Sequence, residues 1–406
     1  MPMLQVFRWL LLGMELMLAL PILYLCIVSV SAMLAANKRK ITPCLSSPRL
    51  LLTSFAILIP AHNETDVLDM LLESLAALDY PKDKYTVFVV ADNCTDATAD
   101  LARATGWVHV YERADQEKRG KGYALNWLLQ QLKQDRLIYD AYVILDADSV
   151  VDPTFLLAMH DRLLQGARAL QACYTVLNAT ESPGTALRWI ALSLVNYVRP
   201  LGRNGIGASA TLVGNGMCFT HNLLEQYPWQ AFSLTEDYQY YLRLVLHGER
   251  VLYVPDAVVR SVMPTRFKEM RTQDIRWEAS KGNESSWKTA WKLLNAGIKN
   301  GDFVRLEAIA ELLTPPLSLL VSWCLLALVG SLALQALSNL LVGLILAGSL
   351  LFYINSALYL LRPPRAIYRA LLYAPRFILW KLQVIFVLRK SKKYTSEWIR
   401  TNRTAS

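Results

Sequence analysis

The sequence predicts an α/β domain with a mostly parallel β-sheet, flanked by apolar helices that are long enough to cross a membrane. Short β-rich runs alternate with segments of helical periodicity in the first half of the chain, a pattern typical of parallel α/β layers. Two stretches, 16–36 and 312–361, contain no charged residue, and a bilayer core needs about 20 apolar residues per helix. The chain has 406 residues, 54% of them hydrophobic, so we expect a folded membrane protein rather than a disordered one.

Three β-rich runs are expected to form strands of the sheet, namely 55–59, 87–90 and 141–145. Apolar residues at helical spacing follow the first two runs, over 67–78 and 97–104. The third run is apolar on both faces, as buried parallel strands are. These runs predict strand–helix units that belong to one layered domain.

The distribution of Lys and Arg predicts how the chain crosses the membrane. Four basic residues follow the first apolar stretch within 37–49 and only Arg8 precedes it, so the positive-inside rule places residues 37–311 in the cytoplasm. Two further spans, joined by a turn at 335–339, return the chain to that side. The predicted segments are an anchor at 1–40, the α/β domain at 50–262, an interfacial helix region at 263–300, two spans at 312–361 and a basic tail at 362–406.

The net charge of +9 is concentrated in that tail, which holds eleven Lys or Arg residues against the single Glu397. Such a tail favours an anionic membrane surface as its partner, and the domain shows no basic patch with interleaved aromatics that would indicate nucleic acid. Residues 366–388 are apolar but interrupted by Arg369, Arg376 and Lys381. This segment is therefore expected to lie in the interface rather than to cross the membrane.

Candidate site residues, most of them polar, follow each of the three predicted strands. They are Pro60, His62, Glu64, Asp92, Asp146 and Asp148. Because ligands bind at the carboxyl ends of parallel strands, these residues are expected to form one site. Surface loops are polar too, so each cluster taken alone also fits an ordinary loop.

The types of these residues indicate what the site binds. Asp146 and Asp148 flank Ala147, and in an extended backbone two such carboxylates point to the same side, where a cation relieves their repulsion. Oxygen ligands of this kind suit Mg²⁺ or Mn²⁺, whose shell phosphate oxygens usually complete. Lys121, between Gly120 and Gly122, fits a diphosphate. Asp92 is a candidate for binding a nucleotide base or ribose.

A second pair of acids, Glu236 and Asp237, opens a predicted helix for which Thr235 is the candidate N-cap. The helix dipole favours negative charge in the first turn, so capping alone explains these residues as well. The functional interpretation is that Asp237 is a general base that takes a proton from a hydroxyl group. No Gly-rich dinucleotide or Walker motif is present, which disfavours a dehydrogenase or an ATPase.

The segment 266–281 is charged, with apolar residues on one side, and is predicted to lie on the membrane surface. Gln273 and Arg276 share a helical face. Arg276 is a candidate for holding a diphosphate, and Trp277 for stacking against a sugar ring. An Arg-Trp pair on an amphipathic helix also fits a simple interfacial anchor.

Seven motifs in this order resemble those of the family 2 glycosyltransferases, in the membrane-integrated branch of cellulose, chitin and hyaluronan synthases and ceramide glucosyltransferases, and most of all the bacterial exopolysaccharide type. The resemblance covers 53–281. Its motifs are IPAHNE at 59–64, Asp92, GKGYALN at 120–126, DAD at 146–148, GNGM at 214–217, TED at 235–237 and QDIRW at 273–277.

The resemblance implies a GT-A fold that binds a UDP-sugar, with Asp92 near the uracil and Lys121 near the donor. It implies that Asp146 and Asp148 hold Mg²⁺ or Mn²⁺ on the diphosphate and that Asp237 deprotonates the acceptor, which inverts the anomeric centre. The remaining residues that it assigns to substrate binding are Pro60, His62, Glu64, Gly214, Asn215, Glu236, Gln273, Arg276 and Trp277.

Three activities stay open at this point. About three spans are too few for an obvious polymer channel, so we expect transfer of one or a few sugars to a lipid-linked or saccharide acceptor at the inner face of a bacterial inner membrane. A processive polysaccharide synthase is the alternative, and a non-catalytic nucleotide-sugar-binding subunit is the third. A transporter is disfavoured because the predicted spans carry almost no ionisable residues. The sugar and the oligomeric state are not determined by the sequence.

Overall fold

The chain folds around a mixed β-sheet with helices on both of its faces. The structure, a computed structural model, describes residues 2–41, 53–265, 270 and 287–390. In these residues the sheet has eight strands in the order β3-β2-β1-β4-β7-β6-β8-β5. The strands are β1 (Phe55–Ala61), β2 (Tyr85–Asp92), β3 (His109–Arg113), β4 (Ala141–Ile144), β5 (Ser149–Val151), β6 (Ala169–Val176), β7 (Met217–Thr220) and β8 (Val251–Ser261).

The described helices are α1 (Pro2–Ile41), α2 (Leu68–Ala76), α3 (Thr98–Ala104), α4 (Lys121–Gln134), α5 (Phe155–Leu164), α6 (Pro183–Ser193), α7 (Arg199–Gly205), α8 (His221–Gln226), α9 (Glu236–Leu246), α10 (Trp287–Asn300), α11 (Phe303–Leu313), α12 (Leu317–Ala333), α13 (Leu337–Leu361), α14 (Arg365–Ala370) and α15 (Ala374–Lys390). One π-helical turn, Leu194–Val198, joins α6 to α7.

The predicted α/β sheet is confirmed, and it has the mostly parallel, Rossmann-like arrangement expected of the GT-A fold that the resemblance implies. Strands β3, β2, β1 and β4 are parallel neighbours, as are β6 and β8, whereas β7 runs antiparallel between β4 and β6, and β5 runs antiparallel to β8. All three predicted strands are present. The third ends at Ile144, one residue earlier than expected.

The first strand shows why these apolar runs become central strands. Every residue of β1 except Pro60 is buried. Ile57 lies in the apolar core that contains Leu71 of α2, and Leu58 lies in the core on the other side, which contains Leu128 of α4. A strand covered on both faces has to be apolar throughout, and its carboxyl end is then left to carry polar residues at the edge of the sheet.

Among the residues that the structure describes, two helices are long and apolar enough to cross a membrane, Met3–Lys38 and Leu337–Leu361. A bent pair formed by α11 and α12, which meet at an angle of 64°, gives a third candidate span in the described part of the chain if the two helices count as one. The predicted turn at 335–339 lies between α12 and α13, where Gln335 has a φ of 50°. The helix before that turn is shorter than the predicted span, which begins at residue 312. Pro315 and Pro316 interrupt the predicted segment and leave α12 with 17 residues.

The predicted interfacial regions are described in part. Trp287 and Trp291 of α10 have exposed fractions of 79% and 63%, which favours the predicted interfacial position because tryptophan is enriched at membrane surfaces. Residues 366–388 form two helices, α14 and α15, with a short 3₁₀ turn between them, and neither is a candidate span. Their position at a membrane stays a prediction.

Candidate active site

The loops that follow β1 and β2 hold each other in place. The His62 Nδ1 atom lies 2.6 Å from the carbonyl oxygen of Asp92. The Glu64 N–H donates to the Thr98 hydroxyl at 2.9 Å. Pro60 lies in β1, half-buried, at the register of Val90 in β2. The residues predicted at these two strand ends therefore do lie together.

A buried arginine that the sequence analysis did not identify holds Asp92. The Arg113 Nη1 atom donates to Asp92 Oδ1 at 2.6 Å, and the two side chains are 5% and 8% exposed. Arg113 also donates to the carbonyl of Lys118 at 2.7 Å, which fixes the loop before Lys121. A carboxylate this deeply buried needs a partner. The feature of the sequence that could have pointed to this partner is an arginine at the end of β3, the strand that pairs with β2.

Lys121 connects the GKG segment to the acids. It begins α4 after Gly120, whose φ is 114°, and its Nζ atom lies 2.5 Å from Asp146 Oδ1. The same Nζ donates to the carbonyl of Gly214 and lies 3.8 Å from Glu236 Oε1. Burial opposes the charged form of this lysine, but Asp146 and Glu236 together raise its pKa above the ordinary value.

The GNG segment supports the site from the other side. Gly214 has a φ of 81°, and a Cβ there would lie 3.0 Å from Asp237 Oδ2, so the segment approaches the acid as only glycine can. Asn215 is fully buried. Its Oδ1 accepts from the Asp146 N–H at 3.2 Å and its Nδ2 donates to the Ser149 hydroxyl at 2.7 Å. Asn215 therefore positions Asp146.

Glu236 and Asp237 have strongly shifted acidities at the start of α9. Burial raises the pKa of Glu236 to about 7 and that of Asp237 to about 6, although the positive charge of Lys121 lowers both. Asp237 Oδ1 accepts the Tyr238 N–H at 2.7 Å. Thr235 occupies the N-cap position as expected, but its hydroxyl makes no capping hydrogen bond. These acids therefore do more than complement the helix dipole.

The part of the chain that carries this site is similar to known proteins. Residues 53–280, more than half of the chain, match the model of the family described as "Glycosyltransferase like family 2". The chain belongs to glycosyltransferase family 2. This confirms the family named in the sequence analysis, whereas its membrane-integrated branch and the exopolysaccharide type stay predictions.

Curated relatives of this family 2 glycosyltransferase agree with that placement. It is 25% identical over 241 residues to a probable glycosyltransferase, YdaM, of Bacillus subtilis, covering 57% of this chain and 56% of that protein. It is 31% identical over 198 residues to a beta-monoglucosyldiacylglycerol synthase of a Nostoc species, covering 47% and 41% of the two chains. The chain thus spans about half the length of the curated relatives that it matches.

One solved structure has the same overall fold. The mannosyltransferase PcManGT from Pyrobaculum calidifontis, in complex with GDP-Man and Mn²⁺, matches with a TM-score of 0.51 at 18% identity. The match covers 88% of this family 2 glycosyltransferase and 99% of the other chain.

The predicted metal ligands are present, but the geometry differs from the one expected. Strand β4 ends before them, and Ala147 and Asp148 lie in a turn, so the extended-strand argument for two parallel carboxylates does not apply. Asp146 is ion-paired with Lys121 and Asp148 is 8% exposed. No group of three His, Cys, Asp or Glu side chains that could hold a metal exists among the described residues. Two carboxylates still fit an ion that takes its other ligands from a diphosphate and water.

The described part of the site is thus two linked groups. The first group lies at the carboxyl ends of β1 to β3 and consists of His62, Asp92 and Arg113. The second group lies at the start of α4, after the end of β4 and at the start of α9, and consists of Lys121, Asp146, Gly214, Glu236 and Asp237. Gln273, Arg276 and Trp277 lie outside the described residues, and their roles stay predictions.

Proposed function

We propose that this protein is an inverting glycosyltransferase that moves a sugar from a UDP-sugar to a lipid-linked or saccharide acceptor at the cytoplasmic face of a bacterial inner membrane, in glycolipid or exopolysaccharide biosynthesis. The observation that carries this proposal is the meeting of Lys121, Asp146, Glu236 and Asp237, with the pKa of Asp237 raised to about 6. A carboxylate with that pKa is a stronger base than an ordinary one and is still ionised at neutral pH.

The reaction is a single displacement at the anomeric carbon. The acceptor oxygen forms the new bond while its proton passes to Asp237, and the bond between the anomeric carbon and the UDP oxygen breaks with its electrons remaining on UDP. Lys121 supplies positive charge beside the acids for the departing diphosphate. Asp92, held by Arg113, is the candidate for the nucleotide's base or ribose.

Asp146 and Asp148 would hold the Mg²⁺ or Mn²⁺, which supplies charge stabilisation to the leaving diphosphate. The oxygen-only donor set supports this assignment. The GT-A fold accommodates such a group in PcManGT, whose structure contains GDP-Man and Mn²⁺.

The membrane helices support an acceptor at the membrane surface. Met3–Lys38 and Leu337–Leu361 satisfy the requirements of a span, and the exposed tryptophans of α10 suit the interface. Among the relatives, one name describes a diacylglycerol product and another a glucomannan 4-beta-mannosyltransferase of Oryza sativa. A processive synthase therefore remains the second candidate.

The decisive measurement is nucleotide release from a panel of UDP-sugars and GDP-mannose by the full chain in native membranes, with and without Mg²⁺ or Mn²⁺. We expect release that needs the metal and disappears in Asp148→Asn and Asp237→Asn. The matched control is Asp83→Asn, an acid whose side chain is 77% exposed, which should keep full activity. Full activity in both site variants would reject the assignment.

Product size separates the remaining alternatives. A glycolipid larger by one or two sugars supports single transfer, whereas a labelled polymer supports the processive synthase. Tight UDP binding without transfer to any acceptor would instead support a non-catalytic subunit.

A further inference from the structure

A buried ion pair lies outside the proposed active site, where α7, α9 and α11 meet. The Arg203 Nε atom donates to Glu307 Oε1 at 2.7 Å and Nη2 donates to Oε2 at 2.8 Å. The side chains are 1% and 3% exposed. This two-point contact fixes the relative orientation of α7, which carries Arg203, and α11, which carries Glu307, as well as the distance between them.

Every nitrogen of the Arg203 guanidinium has a partner. Nη1 donates to the Thr211 hydroxyl at 2.6 Å, and Nη2 also donates to the Tyr241 hydroxyl at 2.9 Å. Buried ion pairs often contribute little net stability, because desolvation offsets their attraction. Stability alone therefore does not account for so complete a network.

Two of these partners belong to segments that carry the site. Tyr241 lies on α9 four residues after Asp237, on the same face of the helix. Thr211 lies three residues before Gly214. Arg203 thus holds both segments near the point where a Cβ on Gly214 would come within 3.0 Å of Asp237 Oδ2.

The other side of the network leads to the apolar helices. Glu307 belongs to α11, which meets the apolar helix α12 at an angle of 64°. Glu307 Oε1 also accepts from the Tyr24 hydroxyl of α1 at 2.7 Å. In addition, Arg305 of α11 donates to the carbonyl of Leu246 at the end of α9 at 3.3 Å. Helix α11 is therefore linked to the middle of α9 through Arg203 and to the end of α9 through Arg305.

We propose that the Arg203–Glu307 pair is a positioning device, which transmits the placement of α1 and α11 to the helix of the proposed base and to the segment that leads to Gly214. This rests on the proposed function, since it concerns the same base. The pair does not touch substrate. It sets where Asp237 stands relative to Lys121 and Gly214.

The test compares two neighbouring tyrosines on α9, both fully buried. Tyr241→Phe removes the hydroxyl that Arg203 holds and leaves the ion pair intact. Tyr240→Phe is the matched control, because its hydroxyl donates to the Tyr227 carbonyl at 2.6 Å and has no link to the pair. Both variants lose one hydroxyl hydrogen bond of a fully buried tyrosine, so a general loss of stability affects both.

We expect Tyr241→Phe to lower kcat about tenfold with the donor KM within about twofold, because a base displaced by less than 1 Å already costs much of the rate. Tyr240→Phe should stay within about twofold of the wild type. Arg203→Lys, which keeps the charge but loses the two-point contact, should behave like Tyr241→Phe. Equal losses in the two tyrosine variants, or none in either, would overturn the proposal.

Amide hydrogen exchange gives a readout that does not depend on transfer. In Tyr241→Phe, exchange should rise at the start of α9 and at 214–217 and stay unchanged in β1 and β2, whereas Tyr240→Phe should not show this pattern. Unchanged exchange at the start of α9 would also refute the positioning role. If the wild type transfers no sugar while the exchange pattern is as expected, the proposed function fails and the mechanical coupling stands.

Discussion

At the scale of single residues, the acids that open α9 are the chemically distinctive feature. A carboxyl group at a helix N-terminus ordinarily gains from the dipole and becomes more acidic. Here burial has the larger effect, and the pKa values of Glu236 and Asp237 rise to about 7 and about 6. Since the two carboxyls and Lys121 interact, they titrate as a group.

The first prediction concerns the pH dependence of transfer. Asp237 must be ionised to accept a proton, and its pKa is raised to about 6, so kcat/KM should fall as the pH decreases below that value. Rates measured from pH 5 to 8 with saturating metal should show this acidic limb. A rate that stays constant down to pH 5 would contradict the role of Asp237 as base.

The second prediction concerns stability. The pKa of Glu236 is raised from its ordinary value of 4.5 to about 7 in the folded chain, so the folded state binds this proton more tightly than the unfolded state. The folded state therefore loses stability as the pH rises from 4.5 to about 7. Glu236→Gln removes this loss and should increase the free energy of unfolding at pH 7.5 by about 1–2 kcal/mol, which raises Tm by several degrees. The gain should vanish below pH 4.5.

Thermal unfolding of the wild type and of Glu236→Gln at pH 4 and at pH 7.5 measures that change in Tm. The exposed substitution Glu117→Gln is the control and should leave Tm unchanged at both. Part of the gain is offset, because Lys121 loses a charged neighbour at 3.8 Å. A Tm gain in Glu236→Gln that is the same at pH 4 and pH 7.5 would show that ionisation is not its cause.

At the scale of elements, the segment between β6 and β7 shows what a loop conformation contributes to the site. Gly214→Ala should abolish most of the transfer activity and leave the protein folded, because the added methyl group would crowd Asp237 Oδ2 at 3.0 Å and Lys121 Nζ at 3.6 Å. Gly166→Ala is the control: its φ of 87° is similar, and nothing lies within 4 Å of a Cβ there.

Both alanine variants carry the same backbone strain of about 1–2 kcal/mol. Their Tm values should therefore both fall, and only Gly214→Ala should also lose activity. Transfer assays on the two purified chains, matched by circular dichroism, measure this. Equal activities in the two variants would contradict the idea that the added methyl group impairs transfer by crowding Asp237.

Three strands of the sheet, β1, β2 and β4, were predicted from the sequence, and the short strands β5 and β7 were not, for a reason visible in their burial and length. β1, β2 and β4 are buried on both faces and therefore appear in the sequence as continuous apolar runs. β5 has only three residues and β7 only four, which is too short for a periodic pattern. Their place in the sheet depends on antiparallel pairing with β8 and β4.

At the scale of the whole molecule, the apolar helices and the α/β domain form one connected body. Met3–Lys38 and Leu337–Leu361 meet the length and composition of spans, so the full chain should remain in the membrane after alkaline extraction. Protease should reach the domain in inverted vesicles but not in sealed right-side-out ones, if residues 37–311 face the cytoplasm. Release of the chain at high pH, or cleavage only from outside, would contradict this arrangement.

The sequence by itself determined the α/β class, the family, the order of the motifs and the residue types of the site, because apolar periodicity and short motifs are local properties of the chain. Only the tertiary structure showed that Arg113 pairs with Asp92, that Asn215 supports Asp146, and that Arg203 meets Glu307 104 residues further along. The acidities of Glu236 and Asp237 belong with these, since burial and the charge of Lys121 arise only when distant segments pack together. Composition records which charges a chain carries, but their energies depend on what surrounds them after folding.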